Sequence, residues 1–137
     1  AYALEELSLN IVKKGLNNDK KDELLIQFKL KNNKRIRIIY NYDKNKKINL
    51  IDYIISTSDI YVNPSQNTIY SELNNNFDIT TTIYKYNTSN ISKLKEIKIS
   101  NNKYILTDNN ETKAIDQNDY EKIQFEYQAM KVEFIKK

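Results

Sequence analysis

Apolar and polar residues alternate from Leu24 to Tyr42, and a period of two admits a half-buried β-strand and little else. Leu24, Ile26, Phe28 and Leu30 share one face, and Ile36, Ile38, Tyr40 and Tyr42 resume the pattern further on. Facing residues of a hairpin lie on one side of the sheet, so Leu30 needs an apolar partner. A two-residue loop at Asn32-Asn33 pairs Leu30 with Arg35 and fails that test. A three-residue loop of Asn32, Asn33 and Lys34 pairs Leu30 with Ile36, Phe28 with Ile38, Ile26 with Tyr40 and Leu24 with Tyr42. Such loops need a left-handed residue, and Asn tolerates that conformation best after Gly.

The same register sets Lys31 opposite Arg35 and Lys29 opposite Arg37 on the other face. Like charges directly opposed destabilise a sheet. Lys29, Lys31, Arg35 and Arg37 therefore form the candidate functional surface. Its plain reading is a solvated face whose lysines keep an edge from pairing with other chains. The sharper reading is that an anionic surface, a lipid headgroup, nucleic-acid phosphate or an acidic protein, relieves the repulsion.

The balance of charge is mild: 22 basic against 18 acidic residues give +4. Arg35 and Arg37 are the only arginines, which argues against sequence-specific reading of nucleic acid. Cysteine and histidine are absent, so disulfides, thiolate chemistry, ordinary zinc sites and histidine acid–base schemes are excluded. The length suits a single domain over residues 1–137. One Gly and one Pro leave the turns to asparagine, at Asn17-Asn18, Asn32-Asn33, Asn74 to Asn76, Asn101-Asn102 and Asn109-Asn110. Lys, Asn, Ile and Tyr share AT-rich codons, which discounts the 11 tyrosines as a functional signal. No signal region is visible and no apolar run approaches a membrane span. Absence of Cys suits a secreted bacterial protein.

Along the chain, Leu4 to Leu16 fits a strand or a helix, with strand favoured and Lys13 to Asp22 a polar loop. Ile48 to Tyr53 is a strand or short helical turn, and Asp59 to Val62 a short strand stopped by Asn63-Pro64. Thr68 to Leu73 and Phe77 to Tyr86 are strands, the second with Tyr84 and Tyr86 on a Thr-rich outer face. Asn87 to Ser92 is a polar loop, and Lys95 to Ser100 with Lys103 to Thr107 form a hairpin across Asn101-Asn102. From Asp116 to Lys137, Tyr120, Ile123, Tyr127, Met130 and Phe134 recur at spacings that trace one helix face. Asp116, Asn118 or Asp119 caps its start and Lys136-Lys137 suits its end. A strand reading through Ile123, Phe125 and Tyr127 stays open.

The enzyme candidates are carboxylates: Asp52, Asp59, Glu72, Asp78, and the pair Asp108 and Glu111. Glycoside hydrolysis needs two of them in one cleft, and nothing in the sequence places them so. Asp108-Asn109-Asn110 lacks the Gly and terminal Glu of a calcium loop. The expectation is a protein that is not an enzyme and carries no cofactor or metal.

DELLIQFKLKNNKRIRIIYNYDKN and the following INLIDYIISTSDIYVNP, with the AT-rich composition and small size, resemble the short OrfX-type proteins of clostridial (botulinum-like) neurotoxin gene clusters. The resemblance is one of texture and length over most of the chain. It implies an α+β, β-rich fold like the tubular lipid-binding (TULIP) superfamily: long antiparallel strands in a curved sheet packed on one C-terminal helix. It also implies a secreted, non-enzymatic accessory protein that assembles with a larger OrfX-type partner and has scope to bind anionic lipid. The alternative is an all-β sandwich, a secreted or surface binding module with no lipid role and no C-terminal helix.

Overall fold

The computed structural model describes residues 10–14, 23–42, 45, 47–87 and 90–136. Asparagine makes the turns. Every non-glycine residue with positive φ among those described is Asn: Asn32, Asn33, Asn67, Asn76, Asn101, Asn102, Asn109 and Asn110. In β8 (Asn90–Ser100), β9 (Lys103–Asp108) and β10 (Glu111–Ile115) this closes two tight hairpins, with Ser100 opposite Lys103 and Asp108 opposite Glu111. Positive φ at both central residues (50° and 61°, 53° and 63°) is the backbone that matches strand twist in a two-residue loop. The expected turn at Asn17-Asn18 and the Leu4 to Leu9 part of the first strand lie outside the described residues.

The remaining elements are β1 (Asn10–Lys14), β2 (Glu23–Lys29), β3 (Arg35–Tyr42), β4 (Ile48–Ser56), β5 (Tyr61–Asn63), β6 (Thr68–Asn74), β7 (Ile79–Asn87), α1 (Gln117–Tyr127), β11 (Met130–Lys131) and β12 (Ile135–Lys136). They build two antiparallel sheets, ordered β12-β1-β2-β3-β4 and β10-β9-β8-β7-β6-β5-β11. Leu25, Ile39 and Ile54 of the first sheet meet Val62, Ile69 and Tyr86 of the second, with Ile60 and Val132. On the far side of the second sheet Tyr70 and Ile83 pack on Tyr127, and Ile97 and Leu106 on Tyr120. The layers are thus sheet, sheet, helix. A β-rich chain with a sheet packed on one helix agrees with the expected fold class, and the helix separates it from the all-β alternative.

The β2–β3 hairpin forms, but in a different register. Phe28 faces Ile36, Ile26 faces Ile38, Leu24 faces Tyr40 and Lys29 faces Arg35. Asn32 and Asn33 both take left-handed φ, so closure falls where the Leu30 N–H donates to the Lys34 carbonyl at 2.8 Å. The slip is two residues, which preserves which side chains share a face. The sense of the faces is the larger correction. Leu25, Gln27, Arg37 and Ile39 are buried, whereas Leu24, Ile26, Phe28, Ile36 and Ile38 are only half-buried.

The helix stops at Tyr127, so Met130 and Phe134 do not continue its face. Asp116 caps the start, accepting from the Asp119 N–H at 2.8 Å. At the other end the chain extends, and Met130 and Lys131 pair with Val62 and Tyr61 of β5. Asn63 Nδ2 donates to the Glu126 carbonyl at 3.0 Å, giving a last-turn carbonyl the partner that the helix no longer supplies. Lys136 lies in β12, away from the helix terminus.

Candidate functional site

The four cations expected on one surface are divided between surface and interior. Lys29 and Lys31 are exposed, and Lys29 stands opposite Arg35. Arg35 is half-buried and ion-paired with Asp59 at 3.3 Å. Arg37 is 0% exposed, a correction to the outward face read from the alternation. Its Nε donates to Gln27 Oε1 at 2.7 Å, and its Nη1 donates to Ser56 Oγ and to the Ser58 carbonyl, the latter at 2.7 Å. The Phe134 ring lies 5.7 Å from the guanidinium. Burial, with Arg35 nearby, lowers the Arg37 pKa to about 10. Neutral acceptors let the interior hold this cation, and that lets the polar face of the hairpin turn inward.

Tyr84 and Tyr86, expected on an outer face, belong to the inter-sheet layer. Tyr84 packs against the core, and the buried Tyr86 hydroxyl donates to the buried Glu23 at 3.0 Å. Neither ring is placed to stack on an external ligand.

The carboxylates are scattered into separate pairings. Asp59 also meets Lys131 at 3.3 Å, and Asp108 meets Lys95 at 2.9 Å. Glu72 sits in the seam between β6 and the helix, where Oε1 accepts from the Tyr70 hydroxyl, from the Tyr120 hydroxyl at 3.2 Å and from Gln124 Nε2 at 3.3 Å. Tyr120 shares a further 2.9 Å hydrogen bond with Thr81. Sequence reasoning named Glu72 but missed this cluster, whose partners lie 48 and 52 residues away. Among the described residues, no group of three or more acidic side chains could hold a metal ion.

The tyrosines give this seam a pH signature. Burial pushes the hydroxyls of Tyr70, Tyr84, Tyr120 and Tyr127 above the ordinary value, and for Tyr70 the hydrogen bond to Glu72 adds to it. A folded-state pKa above the unfolded one means that stability is full below about pH 10 and falls as pH rises further. Arg37, with its lowered pKa, acts in the opposite sense, one group against four. In an alkaline titration, tyrosinate absorbance of these side chains should therefore appear together with the loss of native circular dichroism. Early ionisation of all tyrosines with the fold intact is the contrary outcome.

Three of the exposed large apolar side chains lie together on β4, the last strand of the first sheet. Among the described residues β4 has β3 as its only sheet neighbour. It exposes Leu50 at 65%, Tyr53 at 56% and Ile48 at 51%. A bulge between Ile39 and Tyr40 leaves Ile51 without a partner on β3, and Ile51 packs on the inter-sheet core. The strand holds neither Lys nor Pro, the usual protections of an edge. Its one charge, Asp52, accepts from the Tyr53 N–H at 2.8 Å. Half-buried Ile55 continues this surface along β4, and the half-buried Tyr40, Ile38 and Ile36 carry it onto β3.

Comparison with protein-family models, with curated proteins and with solved structures finds no match. No helix among the described residues is long and apolar enough to cross a membrane.

Proposed function

We propose that this chain is a non-enzymatic assembly module that receives a strand of a larger protein along β4. The observation that carries the reading is the coincidence, on one nine-residue strand, of a backbone edge with no strand partner among the described residues and three exposed large apolar side chains. A lipid surface matches only the apolar half of that pattern. A partner strand matches both, since main-chain hydrogen bonds supply affinity and alternate side chains supply specificity. The resemblance to short OrfX-type proteins fits here, with a larger OrfX-type protein as the partner, secretion with a neurotoxin as the setting and a TULIP-like sheet over a helix as the scaffold. Lys29 and Lys31 then stand as cations beside the hairpin tip, where they steer an acidic partner and do not anchor it.

The double variant Leu50→Lys/Tyr53→Lys tests the reading, because both side chains are already in solvent and the fold has no need of them. Pull-down and sedimentation with the larger OrfX-type protein should show binding weakened about 100-fold, with the melting temperature kept. Undiminished binding by the double variant removes β4 from the interface. Flotation of the wild-type chain with anionic vesicles, in the absence of any protein complex, would favour the lipid reading.

A further inference from the structure

A second surface lies away from the β4 side chains, at the end of the molecule where the β2–β3 turn approaches the β6–β7 turn. A cleft of about 490 Å³ there is lined by Asn32, Asn33, Thr57, Ser58, Asn74 and Asn76, with Glu72 and Ile79 completing it. A second hollow of about 400 Å³ shares Asn32, Asn33, Asn74 and Asn76 and adds Lys34 and Asn75. Volumes of this order hold a small ligand.

The walls are fixed before any ligand arrives. Thr57 bridges to β6, its N–H donating to the Glu72 carbonyl at 2.9 Å while its hydroxyl accepts from the Asn74 N–H at 2.9 Å. The Asn75 N–H donates to the Asp78 carbonyl at 2.9 Å, and the Asn76 N–H to Asn74 Oδ1 at 3.0 Å. Asn32, Asn33 and Asn76 are held at positive φ. Their backbones serve the turns, whereas their carboxamides make no hydrogen bond among the described residues. Each carboxamide carries an acceptor oxygen and two N–H donors.

We propose that this cleft binds a neutral saccharide. Hydroxyls that both donate and accept suit carboxamides whose backbones are held in turns and whose own donors and acceptors are uncommitted. An anionic ligand is poorly matched, because Lys34 is the only cation in the lining and phosphate recognition rests on several. An apolar ligand is poorly matched as well, with Ile79 the only apolar side chain there.

The test is protein-observed NMR of the full chain titrated with N-acetylglucosamine, galactose, mannose and lactose, with inorganic phosphate as the anionic probe. Saturable shifts confined to the amides flanking the two turns are expected for at least one sugar, at affinities of roughly 1 mM. The variant Asn33→Gly/Asn76→Gly keeps positive φ without a Cβ penalty, so it should fold as the parent while binding about tenfold more weakly. Asn101→Gly, in a distant turn, should bind as the parent does. Absence of saturable shifts with all four sugars, unchanged affinity in the double glycine variant, or tighter binding of phosphate than of any sugar would each overturn the assignment. None of these outcomes bears on β4.

Discussion

Replacing Arg37 by alanine should cost about 3–5 kcal/mol of folding stability, read as a fall in the urea midpoint at unchanged slope. Two effects compete. Removing a desolvated cation recovers part of the penalty of burying it, and that alone is stabilising. Against it, Gln27 Oε1 and Ser56 Oγ lose the guanidinium as donor and the Ser58 carbonyl keeps only the Ser56 hydroxyl, at about 1–3 kcal/mol for each group left unsatisfied. A cavity beside Phe134 adds to the loss. The unsatisfied acceptors and the cavity win. Arg37→Met fills the space and removes the charge, so it should lose less than half as much as alanine. Lys31→Glu, on an exposed lysine, should stay within about 0.5 kcal/mol of the parent. A near-neutral Arg37→Ala would mean that the guanidinium network holds nothing together.

Glu72→Ala should cost about 2–4 kcal/mol and act first on the helix. Tyr70, Tyr120 and Gln124 direct their donors to one carboxylate oxygen in the seam, and its loss leaves the Tyr70 hydroxyl without its acceptor while Tyr120 keeps Thr81 and Gln124 keeps the two tyrosine hydroxyls. The layer between the sheets does not depend on this carboxylate. Hydrogen exchange should accordingly quicken across Tyr120 to Tyr127 before it quickens in β2 and β3. Glu72→Gln retains an acceptor oxygen and should lose only about 1 kcal/mol. Unaltered protection of the helix in Glu72→Ala would show that apolar packing on Tyr120 and Tyr127 suffices.

The features legible in the sequence are those settled by neighbouring residues. Asn101-Asn102 closes its hairpin because left-handed φ at both positions is a local property, and Asp116 caps the helix because its acceptor reaches an N–H three residues on. The orientation of the β2–β3 hairpin is decided elsewhere. Both faces carry large apolar residues, and the inward one is chosen by Ser56 and Ser58, some 20 residues from Arg37. The end of the helix is hidden for a similar reason, because Met130 and Phe134 satisfy a helical period, yet Met130 with Lys131 pairs with β5. The basic surface is half legible: Lys29 and Lys31 are exposed, but Lys29 faces Arg35 and not the expected Arg37, and Arg37 is drawn inward by acceptors contributed by the next strand and the loop beyond it. The saccharide cleft could not be seen at all, since Asn32 and Asn76 meet only after the chain has crossed from one sheet to the other.

The place of β1 in the first sheet has a practical consequence. Asn10 and Ile11 lie beside Lys136 and Ile135, so the first and last of the described strands share one flank of the sheet while β4 occupies the opposite one. At about 4.8 Å per strand, a label carried beyond β12 stands roughly 19 Å across the sheet from β4. Fluorophores and affinity handles attached there leave the docking strand unobstructed, and energy transfer from that flank to a labelled partner would report its arrival from the far side.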